Sequence, residues 1–340
     1  MTKQSINMGL IGAGRIGRLH AEILTTRIPA AKLVMVADAF PESAKACAAD
    51  FGIPEVASSP KAIFDSDQIE AVAICSSTDT HAPFIIQAAQ AGKHIFCEKP
   101  IALDLASIDQ ALTKVENSGV KLQVGFNRRF HANFKHIRDV VAEGKIGTPH
   151  LVRITSRDPE PPPVSYVKVS GGIFLDMTIH DFDMARYLIG SEVEEVYATG
   201  GVRVDPAIGQ AGDIDTAVIV LTYQNGAICT IDNSREAVYG YDQRVEVFGS
   251  EGMVAADNNA PHNTIYYTRA GGTRPLPYWF FLELYFDAYV AEMKAFVEAV
   301  QNDTPPLVTG LDGRYPLLMG LAAGKSLRER RPVKLSEIEG

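Results

Sequence analysis

The sequence predicts an α/β chain: an N-terminal doubly wound parallel sheet, then an α+β domain with an open, mostly antiparallel sheet. Three observations carry this expectation. Short apolar runs alternate with helix-period segments through the first 125 residues. A glycine-rich turn, Gly12-Ala-Gly-Arg-Ile-Gly17, joins the first such pair. Beyond residue 125 the pattern changes to period-2 runs separated by turn signals. Strands that are apolar throughout belong to a parallel sheet covered on both faces, whereas alternation within a strand marks a sheet with one face in solvent.

In order along the chain, Ile6–Ile11, Leu33–Ala37, Ala71–Cys75, His94–Cys97 and Lys121–Gly125 read as buried strands. Ile16–Ile28, Pro41–Phe51, Thr80–Ala91 and Leu105–Asn117 read as the helices between them. Gly52, Gly92 and Gly119 each follow a helical stretch and suit a left-handed helix stop. Phe134–Glu143 reads as a helix ending at Gly144. His150–Ser156, Ala217–Tyr223, Ala227–Ser234 and Arg244–Phe248 read as half-buried strands, with Asn225-Gly226 as a hairpin turn. Asp158-Pro-Glu-Pro-Pro-Pro-Val164 is a proline-dense surface loop, and helices over Phe281–Asn302 and Thr309–Glu329 close the chain. At 340 residues, and roughly 150 residues per domain, two domains are expected, 1–125 and 126–340.

Composition bounds the function. Hydrophobic residues are 46% and the net charge is −9. An acidic chain is a poor partner for nucleic acid or an anionic membrane. The sequence shows no secretory signal pattern and no apolar run of the ~20 residues that a membrane helix needs. The four cysteines, Cys47, Cys75, Cys97 and Cys229, form no C-x-x-C pair. Zinc sites and disulfides are therefore not expected, Cys75 and Cys97 read as buried thiols, and the expected compartment is the cytoplasm.

The turn Gly12–Gly17 follows a strand and opens a helix, which is the context the dinucleotide fingerprint requires. Gly12 makes the tight turn, Gly14 lets the backbone approach a pyrophosphate, and Gly17 lets helix and strand pack closely. Arg15 and Ile16 open the helix, whose free N–H groups suit phosphates. Asp38 lies 21 residues past Gly17, at the end of the second strand, where an acid binds ribose hydroxyls. No Arg or Lys follows it closely, so NAD is expected rather than NADP. This is a Rossmann reading. Ser76, Ser77, Thr78 and His81 follow the strand ending at Cys75, where ligands of such sheets sit; Asp79 or Thr80 as a helix cap reads equally well.

Two further elements carry chemistry. Glu98-Lys99-Pro100 ends a strand, and an ammonium there can polarise a substrate oxygen; a structural Lys–Glu pair is the plainer alternative. Asp176 and His180 are four apart. If the segment is helical they share a face, and a carboxylate beside His makes an acid–base pair. The plainer alternative is Asp176 capping a helix that packs His180. A metal site with Asp183 lacks further His or Cys nearby, and none is expected.

Taken in order, Gly12–Gly17, Glu98-Lys99-Pro100 and Gly171-Gly172 followed by Asp176-x-x-x-His180 resemble the Gfo/Idh/MocA family of NAD(P)-dependent oxidoreductases over essentially the whole chain. The resemblance implies a Rossmann domain plus an α+β domain whose open sheet mediates homo-oligomers, a tetramer before a dimer. It implies that Lys99, Asp176 and His180 form the catalytic set, with His180 the proton acceptor and Glu98 and Lys99 near the cofactor. Gly125–Phe130, Thr155–Pro159, Gly172–Met184 and Tyr239–Val247 are similar to the inositol-oxidising subgroup. By that likeness Asn127, Arg128, Asp158, Thr178 and Tyr241 join Lys99, Asp176 and His180 around a polyol. The implied reaction is NAD-dependent oxidation of a cyclitol, myo-inositol first. Another inositol or an aldose, a redox-neutral glycoside cleavage, or an NAD-dependent sensor are the alternatives.

Overall fold

The computed structural model describes residues 5–339; part of the N-terminal stretch read above for a signal segment lies outside the described residues. The chain forms two compact units, 1–127 with 287–317, and 128–286 with 318–340. The expectation drew one boundary near residue 125. The structure instead returns Asp287–Leu317 to the first unit.

The first unit opens with β1 (Ile6–Ile11), α1 (Arg15–Thr26), β2 (Ala31–Ala37), α2 (Pro41–Phe51), β3 (Glu55–Val56), α3 (Pro60–Asp65), β4 (Ala71–Ile74), α4 (Thr78–Gln90), β5 (His94–Glu98), α5 (Leu105–Ser118) and β6 (Leu122–Gly125). The six strands run in the order β3-β2-β1-β4-β5-β6, every pair parallel. The order reverses between β1 and β4, which is where such sheets bind ligands. All four residues of β4 are buried, as expected of a strand covered on both faces. Gly52 and Gly119 cap α2 and α5 in the left-handed conformation. Helix α4 begins at Thr78, with Ser77 as its cap residue, so neither Asp79 nor Thr80 caps it. The sequence reading passed over β3 and α3, which are too short to show a period.

The second unit continues with α6 (Ala132–Ala142), β7 (Pro149–Arg157), α7 (Val164–Val167), α8 (Gly172–Asp176), α9 (Ile179–Ile189), β8 (Val193–Gly201), α10 (Pro206–Gln210), β9 (Thr216–Tyr223), β10 (Ile228–Ser234), β11 (Asp242–Gly249), β12 (Gly252–Ala256), β13 (Tyr266–Thr268) and β14 (Gly271–Thr273). Helices α11 (Phe281–Asn302) and α12 (Gly310–Glu329) contribute residues to both units, and β15 (Val333–Lys334) and α13 (Ser336–Glu339) end the chain. The large sheet has the order β12-β11-β7-β10-β9-β8-β15. It is antiparallel except for β7 against β10. The Asn225-Gly226 turn joins β9 to β10, with Gly226 at φ +85° and the Gly226 amide on the Tyr223 carbonyl. Strand β8 escaped the sequence reading because its pairing register shifts between Val193 and Glu195, and one extra residue breaks a period-2 pattern.

The four cysteines are free; Cys97 is buried, but Cys75, at the end of β4, is only half-buried.

Candidate active site

In the first unit, the glycine loop is shaped by contact. A Cβ on Gly12 would lie 2.5 Å from the Cys75 carbonyl oxygen, and one on Gly17 would lie 1.9 Å from that of Gly12. Gly12 also holds φ +97°, a region costly for any other residue. Nothing lies within 4 Å of a Cβ on Gly14, so that face of the loop is open to a ligand. Gly14 is the cap residue of α1 and supplies no side-chain bond to the helix. The first N–H groups of α1 are thus available for an anion. Arg15 is exposed and Ile16 half-buried at this end.

The Asp38 carboxylate accepts hydrogen bonds from the amides of Ala13 (2.6 Å) and Phe40 (2.8 Å). These fix its direction and leave each oxygen a further lone pair for a ribose hydroxyl. These residues fit NAD. At the end of β4, the Ser76 and Thr80 hydroxyls lie 2.6 Å apart, and Thr80 donates to the Ser77 carbonyl; Ser77 is exposed and Thr78 half-buried. His81 is buried, its Nδ1 2.8 Å from the Pro100 carbonyl oxygen and its Nε2 2.9 Å from that of Ser76. The ring therefore lies between the loop after β4 and the one after β5, within hydrogen-bond reach of both. Lys99 follows directly on β5 and is half-buried, and its bond to Pro100 is cis.

Glu98 turns inward, with its Oε1 2.7 Å from His20 Nε2. Glu292 completes a buried trio whose ligand-type atoms lie within 4.8 Å of one another. The His20–Glu98 spacing is that of a hydrogen bond. Ligands on a tetrahedral zinc, at bond lengths of about 2.1 Å, stand roughly 3.4 Å apart.

The second unit corrects the reading of Asp176 and His180. They do not share one helix. Asp176 ends α8 and His180 is the second residue of α9. The amides of Met177 and Thr178 both reach the Ile173 carbonyl, and His180 bonds Met177, so the regular ladder breaks between them and the shared-face argument lapses. Asp176 accepts from Tyr166 Oη (2.8 Å) and Arg235 Nη1 (3.0 Å). Asp158 lies 3.6 Å from the same Arg235 nitrogen. Burial raises the Asp158 carboxyl to about 6, against the pull of Arg235.

Arg128 is buried and donates to Asp181 (2.5 Å), Ser156 (3.4 Å) and Tyr241 (3.3 Å). Asn233 donates to Asp181 (2.9 Å) and accepts from Thr178 (2.6 Å). Burial pushes the hydroxyls of Tyr241 and Tyr285 upward, the latter to about 12. In the first unit, the last residue of its N-terminal segment, Asn127, is buried.

Arg235, Asp181, Asn233, Ser156 and Gln243 were not among the expected residues. Three of them form a row: Gln243 pairs with Ser156 across β11 and β7, and Ser156 with Asn233 across β7 and β10. All three are buried on the face that carries Ile154, Ile231 and Val245 elsewhere on these strands. Polar residues in the inward phase of otherwise apolar strands are the signal that could have found them, since buried polar groups persist only when hydrogen-bonded.

Residues 6–126 match the description "Oxidoreductase family, NAD-binding Rossmann fold", and residues 134–255 match "GFO/IDH/MocA C-terminal domain". The myo-inositol 2-dehydrogenase of Thermotoga maritima is 50% identical over 336 residues, 98% of this chain and all of that one. The chain belongs to the Gfo/Idh/MocA family. The inositol 2-dehydrogenase of Rhizobium meliloti is 47% identical, over 98% of this chain and all of its own. The scyllo-inositol dehydrogenase of Lactobacillus casei, solved with NAD(H) and scyllo-inositol, is 30% identical with a TM-score of 0.92, over 98% of this chain and all of its own. As a Gfo/Idh/MocA member the chain is an oxidoreductase, and its first unit is an NAD-binding Rossmann domain.

Proposed function

We propose that this protein oxidises a cyclitol hydroxyl to a ketone with NAD, myo-inositol giving 2-keto-myo-inositol. The observation that carries the reading is the buried polar row Gln243–Ser156–Asn233, with Arg128 and Asp181 bonded to it and Tyr241 bonded to Arg128. A ring bearing six hydroxyls needs many directed donors and acceptors. A site built to hydrogen-bond hydroxyls rejects analogues that lack them. The inositol dehydrogenases among its full-length relatives support the same substrate class.

His180 accepts the proton of the reacting hydroxyl. Asp176 orients His180 and stabilises its charged form. Lys99 donates a hydrogen bond to the reacting oxygen and lowers the cost of its alkoxide character. NAD, when bound, supplies the hydride acceptor. Gly12, Gly14, Arg15, Ile16, Gly17, Asp38, Ser76, Ser77 and Thr78 hold it. His81 shapes their loops, and Glu98 anchors the strand end that bears Lys99. Asn127, Arg128, Asp158, Thr178 and Tyr241 surround the polyol, Thr178 acting through Asn233.

The same reading includes self-association into a tetramer, with a dimer as the alternative. Met253, Phe248, Leu151 and Ile228 are exposed and neighbour one another in register on the outer face of the large sheet, an apolar stripe that a second copy would cover. No helix among the described residues is long and apolar enough to cross a membrane; the proposed place of action is the cytoplasm.

The test is reduction of NAD and of NADP over a panel of myo-inositol, scyllo-inositol, D-chiro-inositol, glucose and xylose, with the ketone product identified. The reading expects NAD-dependent turnover of myo-inositol. Turnover of the aldoses alone would replace the substrate, and NAD binding without any net turnover would favour a sensor or a redox-neutral reaction.

A further inference from the structure

The guanidinium of Arg235 has a place that the proposed chemistry does not yet use. Arg235 follows β10, and its amide donates to the Asp215 carbonyl. Its side chain is only 3% exposed. Nη1 meets two carboxylates, Asp176 at 3.0 Å and Asp158 at 3.6 Å. Nε and Nη2 are closed to solvent and find no acceptor among the described residues. A buried cation with most of its donors unmatched is not there for its own stability, because desolvating it is costly. What it does make are contacts to two acids.

The charges around it are unequal. Asp158, Asp176 and Asp213 all act on Arg235. Asp213 is committed to the Ile173 amide at the start of α8. Arg128, the next cation, is committed to Asp181. Tyr166 donates to Asp176 and carries no charge to offset it. One guanidinium therefore faces three carboxyls. Without it, Asp158 and Asp176 would lose the guanidinium that bridges them, and adjacent carboxylates repel one another.

We propose that Arg235 is a positioning residue for the dehydrogenase reaction: by bridging Asp176 and Asp158 through Nη1 it keeps Asp176 charged and aimed, and so keeps His180 a competent base. This rests on the functional reading above, in which Asp176 serves His180. Tyr166 holds the other oxygen of Asp176, so loss of Arg235 leaves that grip in place.

The experiment compares wild type with R235Q, R235K, D158N and R235Q/D158N. The kcat–pH profile is measured with myo-inositol and NAD, and carboxyl titrations are followed by ¹³C NMR of Asp-labelled protein. In R235Q the acid limb of kcat moves to higher pH, and kcat at neutral pH falls by about tenfold or more, a fraction of a general base's whole contribution. KM for NAD stays within about twofold, as expected where only transition-state interactions are lost. R235K, lacking the planar fork, falls between the two. R235Q/D158N brings the acid limb back toward wild type, because only one acid remains to compensate. The proposal is overturned if R235Q loses thermal stability yet keeps the wild-type pH profile, or if D158N does not reverse the shift. Should R235Q fail to fold, R235K against R235K/D158N makes the same comparison. If wild type oxidises no cyclitol, the functional reading has failed separately; the carboxyl titrations then decide, an upward shift in R235Q supporting the bridge and unchanged titrations rejecting it.

Discussion

Asp38 accepts the amide hydrogen of Ala13 at 2.6 Å, which ties the end of β2 to the turn between β1 and α1. One carboxylate thus shapes the glycine loop while keeping lone pairs for a ribose.

Replacing it should therefore act on cofactor affinity. Asp38→Ala is expected to raise KM for NAD by about tenfold or more while changing kcat little, the pattern of lost uniform binding. Steady-state kinetics with varied NAD checks this; a fall in kcat at unchanged KM would speak against the assignment.

His180→Ala should leave a folded protein that slows sharply. Removing a general base costs about 10²–10⁴ in rate. Near-normal kcat for this variant, with an unchanged circular dichroism spectrum, would remove His180 from the mechanism.

The buried pair Arg128–Asp181 gives a stability prediction. Its side chains are 6% and 0% exposed. Arg128→Ala strands a buried carboxylate, and such a loss costs about 3–5 kcal/mol. Urea unfolding should show a midpoint lowered accordingly. Arg128→Ala with Asp181→Asn should recover part of the loss, because the stranded charge is gone.

Asp158 yields a pH dependence with a definite sign. Its carboxyl sits at about 6 in the fold against about 3.9 in an unfolded chain. The native state therefore holds the proton more tightly, and this residue's contribution to stability is complete below about pH 4 and lost as pH rises through about 6. Asp158→Asn removes that loss. Thermal melts from pH 4.5 to 7.5 should show the variant gaining on wild type, by at most about 3 kcal/mol. A constant difference across that window would contradict the assignment.

The first unit was legible in the sequence because its signals are local. Gly12, Gly14 and Gly17 answer to contacts within one turn, Asp38 to its place at the end of β2, and Lys99 to its place after β5. The helix break between Asp176 and His180 was not legible, since both flanking residues, Met177 and Thr178, still lie in the right-handed region. The row Gln243–Ser156–Asn233 depends on the parallel pairing of β7 with β10, strands more than 70 residues apart in sequence. Arg235 was hidden for a related reason. Its partners Asp158 and Asp176 come from two other segments, and a lone arginine after a strand looks like any solvated charge until the fold buries it.

In the proposed reaction a hydride leaves C2 of myo-inositol for NAD. The most direct measurement uses myo-inositol deuterated at C2 with NAD, following deuterium by NMR in both products. Deuterium is expected at C4 of the reduced nicotinamide and nowhere in the ketone. Unlabelled reduced cofactor, with the deuterium retained in the cyclitol, would contradict the proposed reaction.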